Sequence, residues 1–208
     1  MTASVRPTDA QLNATAAWSK RVRRVGGFIQ VGFAAFWLVR GSLNIRGAVG
    51  ITLALASVGV TVAVVAYGIR LTAGVAPRPI GPEAKRIERA VTIATVVQLV
   101  ASFVAPAIVV AAGHPDWLLP SIAITIGPLL LWLDHRVDIP RYRPAGWALI
   151  VGPIVLVALL SGSALAATTG IAAGTVLLGI ATAGFHDLGA ARPHRAPLAD
   201  PVVPSTTR

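Results

Sequence analysis

The sequence contains no cysteine, and it is poor in charge. Without cysteine the chain can form no disulfide, no thiolate metal site and no cysteine nucleophile. Charged residues make up 12% of the 208 residues, whereas a soluble domain carries about 25%. Hydrophobic residues make up 55% of the chain, and the mean hydropathy is +0.73. These values exclude a soluble globular domain and a disordered chain, and they predict an integral membrane protein.

Several charge-free stretches are long enough to cross a bilayer, whose core of about 30 Å is spanned by about 20 helical residues. The uncharged run over 144–185 is about twice that length, so we expect it to turn back at Ser161–Ser163. The sequence therefore predicts an all-α fold. It is a polytopic bundle of six transmembrane helices, over about 25–39, 47–69, 90–113, 117–133, 145–160 and 164–185.

We divide the chain into three parts around this bundle. The transmembrane domain covers residues 25–185, and its short outer loops predict hairpins of spans one and two, three and four, and five and six. Residues 1–24 form a cytoplasmic segment, in which a helix capped at Thr8 is expected to lie at the membrane interface. Residues 186–208 are rich in proline and predict a disordered cytoplasmic tail.

Lysine and arginine are distributed unevenly between the two sides of the predicted bundle. Sixteen fall on one side, and two, Arg40 and Arg46, fall on the other. By the positive-inside rule, both termini are expected in the cytoplasm. The predominance of arginine over lysine, with abundant alanine, glycine and valine, favours a multi-pass protein of the bacterial cytoplasmic (inner) membrane.

The net charge of +10 follows from this asymmetry. In a soluble protein such a charge would suggest nucleic-acid binding, but here it serves as a topology signal, and we expect no nucleic-acid partner. The expected partners are the lipid bilayer and the anionic lipids of its inner leaflet. A second membrane protein or a further copy of the chain would be an additional partner.

The predicted spans contain no Asp, Glu, Lys, Arg or His. Ion-coupled transporters and proton pumps usually keep an ionisable group at membrane depth, so this absence argues against both classes and leaves a facilitator of neutral solutes open. Nucleotide-binding and nucleophile-elbow motifs are also absent from the sequence. We therefore predict no cofactor and no metal.

Gln30 and Gln98 are the most polar side chains within the predicted spans. An amide in hydrocarbon needs a hydrogen-bond partner, so both are expected to face the interior of the bundle. Two interpretations stay open: a hydrogen bond between helices, or a polar contact on a solute path. The second makes both residues candidates for substrate binding.

Two Gly-Pro pairs, Gly127–Pro128 and Gly152–Pro153, interrupt spans four and five at a similar depth. Each proline frees a backbone carbonyl four residues earlier. In discontinuous transporter helices such groups line a substrate cavity, which makes the four residues candidates for substrate binding. The alternative is that the pairs only kink the helices and allow them to pack closely.

Small residues recur every four positions on span six, at Ala166, Gly170 and Gly174. This spacing lets a second helix approach closely. We predict helix packing along this stripe, within the chain or between two copies.

Four residues that could support chemistry lie near the predicted cytoplasmic side. Asp134, His135 and Asp138 are close in sequence at the end of span four, and His186 follows span six. Together they would suit an enzyme that acts on a lipid or isoprenoid at the cytoplasmic face, although no metal-binding spacing is present. We favour a non-enzymatic protein, either a small permease-like protein or a subunit of a membrane complex, and keep the enzyme as the alternative.

The stretch from His114-Pro115-Asp116-Trp117 through span four to Arg141-Tyr142-Arg143-Pro144-Ala145-Gly146 resembles small six-span bacterial membrane proteins with no assigned activity. The resemblance covers residues 114–146, most of them apolar. It implies an integral inner-membrane protein. It implies no functional residues, so no role is carried over to this chain.

Overall fold

The computed structural model describes residues 8–73 and 81–190, and within these ranges the only regular structure is helical. Six of the helical stretches are long and apolar enough to span a membrane, which confirms the prediction of an all-α six-helix protein. The helices are α1 (Asp9–Arg21), α2 (Gly27–Ser42), α3 (Ala48–Thr72), α4 (Pro82–Ala111), α5 (Leu118–Val137), α6 (Tyr142–Leu159) and α7 (Gly162–Ala190).

Most of the helices extend beyond the charge-free runs from which the spans were predicted. α4 begins eight residues before the predicted span, at Pro82, which occupies a first helical position. α7 continues to Ala190, so residues 186–190 are helical and not part of a disordered tail. Charged side chains end an apolar run but do not end the backbone hydrogen bonding of a helix, and this explains the difference. The rest of the proposed tail, 191–208, lies outside the described residues.

The first span is part of a continuous helical stretch from Asp9 to Ser42. Thr8 caps it as expected: its hydroxyl accepts from the Gln11 amide, and the Gln11 side chain accepts from the Thr8 amide. A π-helical segment, Val22–Gly26, joins α1 to α2. Trp18 and Val22 are buried with residues of α4 and α5, so α1 packs against the bundle. The interfacial segment of the prediction is therefore also a packed part of the fold.

The most extensive packing occurs between α2 and α7 and between α5 and α6. α4 packs mainly on α5, and α3 packs on both α2 and α7. The predicted hairpins one–two and three–four are therefore observed as packed pairs. Spans five and six touch, but each packs more extensively on a different helix, because the glycines that permit the closest approach lie on those other faces.

Glycines permit the close contact between α2 and α7. A Cβ atom built on Gly170 would lie 2.6 Å from the Gly41 Cα atom, and one on Gly174 would lie 2.6 Å from Leu38 Cγ. These distances are too short for any real Cβ. The two backbones therefore meet directly at Gly41 and Gly170, and the Leu38 side chain packs on the backbone of Gly174. The structure thus places two members of the small-residue stripe against a helix of the same chain, while Ala166 is half-buried beside the core.

Five hydroxyl groups within the helices are satisfied locally. Thr52, Ser57, Thr61, Thr95 and Thr175 each donate to the backbone carbonyl four residues earlier, at 2.7–2.9 Å. This removes free hydroxyl donors from the apolar surface that the helices present to lipid.

Candidate functional site

The candidate site lies at the end of the bundle that carries Arg23, Arg70, Arg89, Arg136 and Arg141, which we call the basic end. A partly open cavity of about 160 Å³ lies there between α2, α6 and α7. The walls combine charged, polar and apolar groups: Arg23, Gln30, Ile139, Pro140, Arg141, Tyr142, Ile180, Gly184 and Asp187.

Asp187 is the centre of the charged wall of this cavity. Its Oδ2 atom lies 3.0 Å from Arg141 Nη1 and 3.7 Å from Arg23 Nη1. Two guanidinium groups thus share one carboxylate, and the wall keeps a net positive charge. The side chains of Arg23 and Asp187 are 25% and 30% exposed, so water screens this charge less than it would on an open surface.

Arg23 is positioned by the π-helical segment and has hydrogen-bonding capacity to spare. Its Nη2 atom donates to the Asp138 carbonyl at 3.5 Å, which is a long contact. Its Nε atom is buried and has no hydrogen-bond partner among the described residues. A buried donor without an acceptor costs free energy, and π-helical insertions occur frequently at functional sites. The guanidinium group of Arg23 is therefore not fully hydrogen-bonded by the described residues.

Gln30 lies seven residues along the chain from Arg23, or about 10 Å along the helix. Its side chain lies beside the phenol of Tyr142, which is almost fully buried at the start of α6. The amide and the phenol therefore form the neutral polar part of the cavity wall. The structure is compatible with both interpretations of Gln30, a contact between helices and a polar contact on a solute path, because the residue links two helices and also faces the cavity.

Asp138 closes the same region from the turn between α5 and α6. It ends α5 in a left-handed conformation with φ of 54°, a rare value for a residue other than glycine. This conformation lets the chain reverse, so that Ile139, Pro140 and Arg141 can line the cavity. The turn therefore carries the second arginine to the carboxylate of α7.

Gln98 occupies a different polar cluster, between α4 and α5. Its Nε2 atom lies 2.9 Å from Ser102 Oγ and 3.2 Å from Thr125 Oγ1, and the two hydroxyl oxygens are 3.1 Å apart. The cluster links the two helices within the apolar part of the bundle. Gln98 and Gln30 thus belong to separate places in the fold, and a shared role in binding one substrate stays a prediction.

The two Gly-Pro pairs have different surroundings. A Cβ on Gly127 would lie 2.4 Å from Ile150 Cγ1 and 2.6 Å from the Gly146 carbonyl oxygen, whereas one on Gly152 would meet no atom of the described residues within 4 Å. Pro128 lines the groove between α4 and α5, and Pro153 is buried. Gly127 therefore has a packing role between α5 and α6, and substrate binding by either pair stays a prediction.

The different surroundings of Gly127 and Gly152 allow a test with a matched control. Gly127→Leu is expected to lower the unfolding free energy by about 1–3 kcal/mol, because the added side chain overlaps the α6 backbone. Gly152→Leu, in the other Gly-Pro pair, is expected to change it by less than about 0.5 kcal/mol. The measurement is reversible unfolding in mixed micelles of mild detergent and dodecyl sulfate. Equal stabilities of the two variants would contradict the packing role of Gly127.

The residues proposed for the enzymatic alternative do not form a metal site in the described part of the chain. No three His, Asp or Glu side chains are grouped there so that they could hold one ion. His135 and Asp138 are exposed, and Asp134 is half-buried at the end of α5. His186 instead lines an open hollow on α7, together with Tyr67 and Arg141.

No protein-family model matches the sequence, and neither curated proteins nor solved structures show a significant similarity to it. The candidate site therefore depends on its own geometry.

Apart from Gln30, which the sequence indicated as a binding candidate, the cavity combines residues that the sequence assigned to other roles or did not single out. Arg23 and Arg141 were counted as topology signals, while Tyr142 was given no role in a site. One signal was present: Asp187 is the single acidic residue between Asp138 and Asp200. A lone carboxylate at the end of a long apolar helix requires a cationic partner, but its partners come from distant segments that the sequence does not connect.

Proposed function

We propose that the protein is a small, non-enzymatic, permease-like membrane protein, and that the cavity at its basic end binds a small anionic solute. The observation that carries this proposal is the pair of arginines, Arg23 and Arg141, that share the carboxylate of Asp187 in the cavity wall. An anion would neutralise the remaining positive charge and accept hydrogen bonds from the guanidinium groups.

The size of the cavity limits the solute. A protein cavity of about 150 Å³ holds a molecule as large as benzene, and this one is about 160 Å³. The solute therefore has about six non-hydrogen atoms, which fits a small carboxylate or inorganic phosphate. The Gln30 amide and the Tyr142 hydroxyl would hydrogen-bond its remaining oxygen atoms.

The remaining parts of the proposal follow from the sequence. The basic end faces the cytoplasm of a bacterium, because most lysines and arginines lie there and the inner membrane favours this orientation. The cavity would then be open toward the cytoplasm. At the opposite end of α2 and α7, Trp37, Leu165 and Thr169 are fully buried, so passage of a solute requires these two helices to separate there.

Anion binding is tested by titrating the purified protein in nanodiscs with phosphate and with acetate at constant ionic strength. Arg23→Gln is expected to weaken binding at least tenfold, since a hydrogen bond to a charged group contributes about 1.5–3 kcal/mol. Asp187→Asn is expected to strengthen it, because the competing carboxylate is removed. Arg40→Gln, a control at the opposite end of the same helix, is expected to bind as the wild type does.

Wild-type protein that binds neither anion would contradict the proposal, as would variants that all bind equally. Flux of labelled phosphate into proteoliposomes then separates two functions. Binding with flux that is lost in Arg23→Gln supports a permease. Binding without flux would instead support a ligand-binding subunit of a membrane complex.

A further inference from the structure

A second feature, independent of the cavity, is an apolar groove between α4 and α5. Its volume is about 620 Å³. Small side chains on α4 leave the space free, since Ala90, Ala94 and Ala101 form that wall. None of the residues in the most apolar section of α4 is buried, so the groove opens sideways toward the hydrocarbon of the membrane.

On each of the two helices, the stripe of groove residues continues at the same helical spacing to an arginine. On α4 the lining residues Ala90, Ala94, Val97 and Ala101 recur every three or four positions, and four positions before Ala90 stands Arg86. Residues at this spacing lie on one face of a helix.

α5 shows the same arrangement in the opposite chain direction. Its lining residues Ile124, Pro128 and Trp132 are four positions apart, and four positions after Trp132 stands Arg136. α4 begins and α5 ends at the basic end, so both apolar stripes end there in an exposed arginine.

We propose that this groove binds an anionic phospholipid of the surrounding bilayer, with one acyl chain along the groove and the phosphate between Arg86 and Arg136. Charge complementarity selects this occupant, because an apolar channel with two cations at one end matches a chain with an anionic head. The length also agrees. The groove extends over twelve residues from Ala90 to Ala101, a rise of about 17 Å, and one leaflet of the hydrocarbon core is about 15 Å thick.

The neighbouring charges favour an anionic head group. Arg89 lies next to the start of the groove and adds a third cation. Glu83, one turn before Arg86, lies on the same face of α4. Glu88 and Asp134 are each two positions from the arginine of their own helix, Arg86 or Arg136, and so lie on other faces. Three cations against one carboxylate leave the groove entrance positive.

Native mass spectrometry of the protein released from nanodiscs tests the proposal. The nanodiscs contain equal amounts of dioleoyl phosphatidylglycerol and dioleoyl phosphatidylcholine. The wild type is expected to retain one phosphatidylglycerol at least fivefold more often than phosphatidylcholine. The double variant R86Q/R136Q is expected to lose this preference, while the charge-matched control K20Q/R143Q, which changes two exposed basic residues outside the groove, keeps it.

Substitutions that fill the groove distinguish binding of the acyl chain from attraction of the lipid to surface charge. Ala94→Phe leaves every arginine in place and is expected to abolish retention of the lipid. Ala101→Leu provides a second, smaller filling if the first variant does not elute as a monodisperse helical protein. Retention unchanged in a folded groove variant or in R86Q/R136Q would overturn the proposal. So would equal retention of both lipids by the wild type, or a dimer that the groove variants convert to a monomer.

Discussion

Gly170→Leu is expected to separate α2 from α7 and to prevent the bundle from forming in its native arrangement. The first side-chain atom alone would lie 2.6 Å from the Gly41 Cα atom and 2.9 Å from the Trp37 carbonyl oxygen. Both neighbours are backbone atoms, so no side chain can rotate away to make room. The helices must move apart, and the packing around the fully buried Trp37 is lost with them.

We expect Gly170→Leu to cost at least about 3 kcal/mol, the upper part of the range for overpacked cores. The measurement is reversible unfolding in mixed micelles, together with the elution profile in mild detergent. Gly179→Leu is the control on the same helix, because a Cβ there meets no atom of the described residues within 4 Å. If both variants unfold at the same detergent fraction, the contact between Gly41 and Gly170 does not stabilise the fold.

Phe185→Ala is expected to have an effect of similar size by the opposite mechanism, the opening of a cavity. The Phe185 ring is completely buried and fills the space left by two glycines, since a Cβ on Gly27 or Gly68 would lie 2.6 or 2.7 Å from it. Its centroid is 4.8 Å from that of Phe28. One side chain thus joins α2, α3 and α7.

The loss of this ring is expected to cost about 3–5 kcal/mol, as for other buried aromatic side chains replaced by alanine. In a membrane this packing is the main source of helix association, because lipid is as apolar as the side chain. The control is Phe103→Ala on α4, where the ring is 72% exposed, and its expected effect is within about 0.5 kcal/mol. A loss of less than about 1 kcal/mol in Phe185→Ala would contradict the role of the ring.

These packing contacts also determine the geometry of the candidate cavity. Arg23 is four residues from Gly27, and Asp187 is two residues from Phe185. The contact of the Phe185 ring with Gly27 therefore fixes the distance between Arg23 and Asp187. Phe185→Ala should therefore weaken anion binding as well as stability. The charge on the cavity wall comes from the sequence, but its position depends on the contact between α2 and α7.

The sequence predicted the helical class and the number of spans, because both depend on local properties. A run of uncharged residues long enough to cross a bilayer must be helical to satisfy its backbone hydrogen bonds, and this holds for each span separately. The ends of the helices were predicted less well. Arg86 and Asp187 lie within helices although they lie outside the apolar runs, since a charged residue leaves the hydrocarbon without leaving the helix.

The polar residues within the spans show what the sequence of a single segment cannot predict. The sequence singled out Gln30 and Gln98 because an amide in hydrocarbon needs a partner. In the structure Gln98 has hydrogen-bond partners, and Gln30 lies beside a buried phenol. The sequence could not supply these neighbours: Tyr142 for Gln30, and Thr125 for Gln98. Such pairs depend on which helix faces meet.

The sequence by itself determined that the chain is a helical membrane protein, where its spans lie and which ends of them are basic. Only the tertiary structure decided that α7 packs on α2, and that Arg23, Arg141 and Asp187 therefore meet around one cavity. The physical reason is that apolarity and charge act on each segment alone, whereas close packing depends on the shape of two surfaces together. The Gly41 and Gly170 backbones touch because neither residue has a side chain. The sequence of either segment alone does not indicate which helix it packs against.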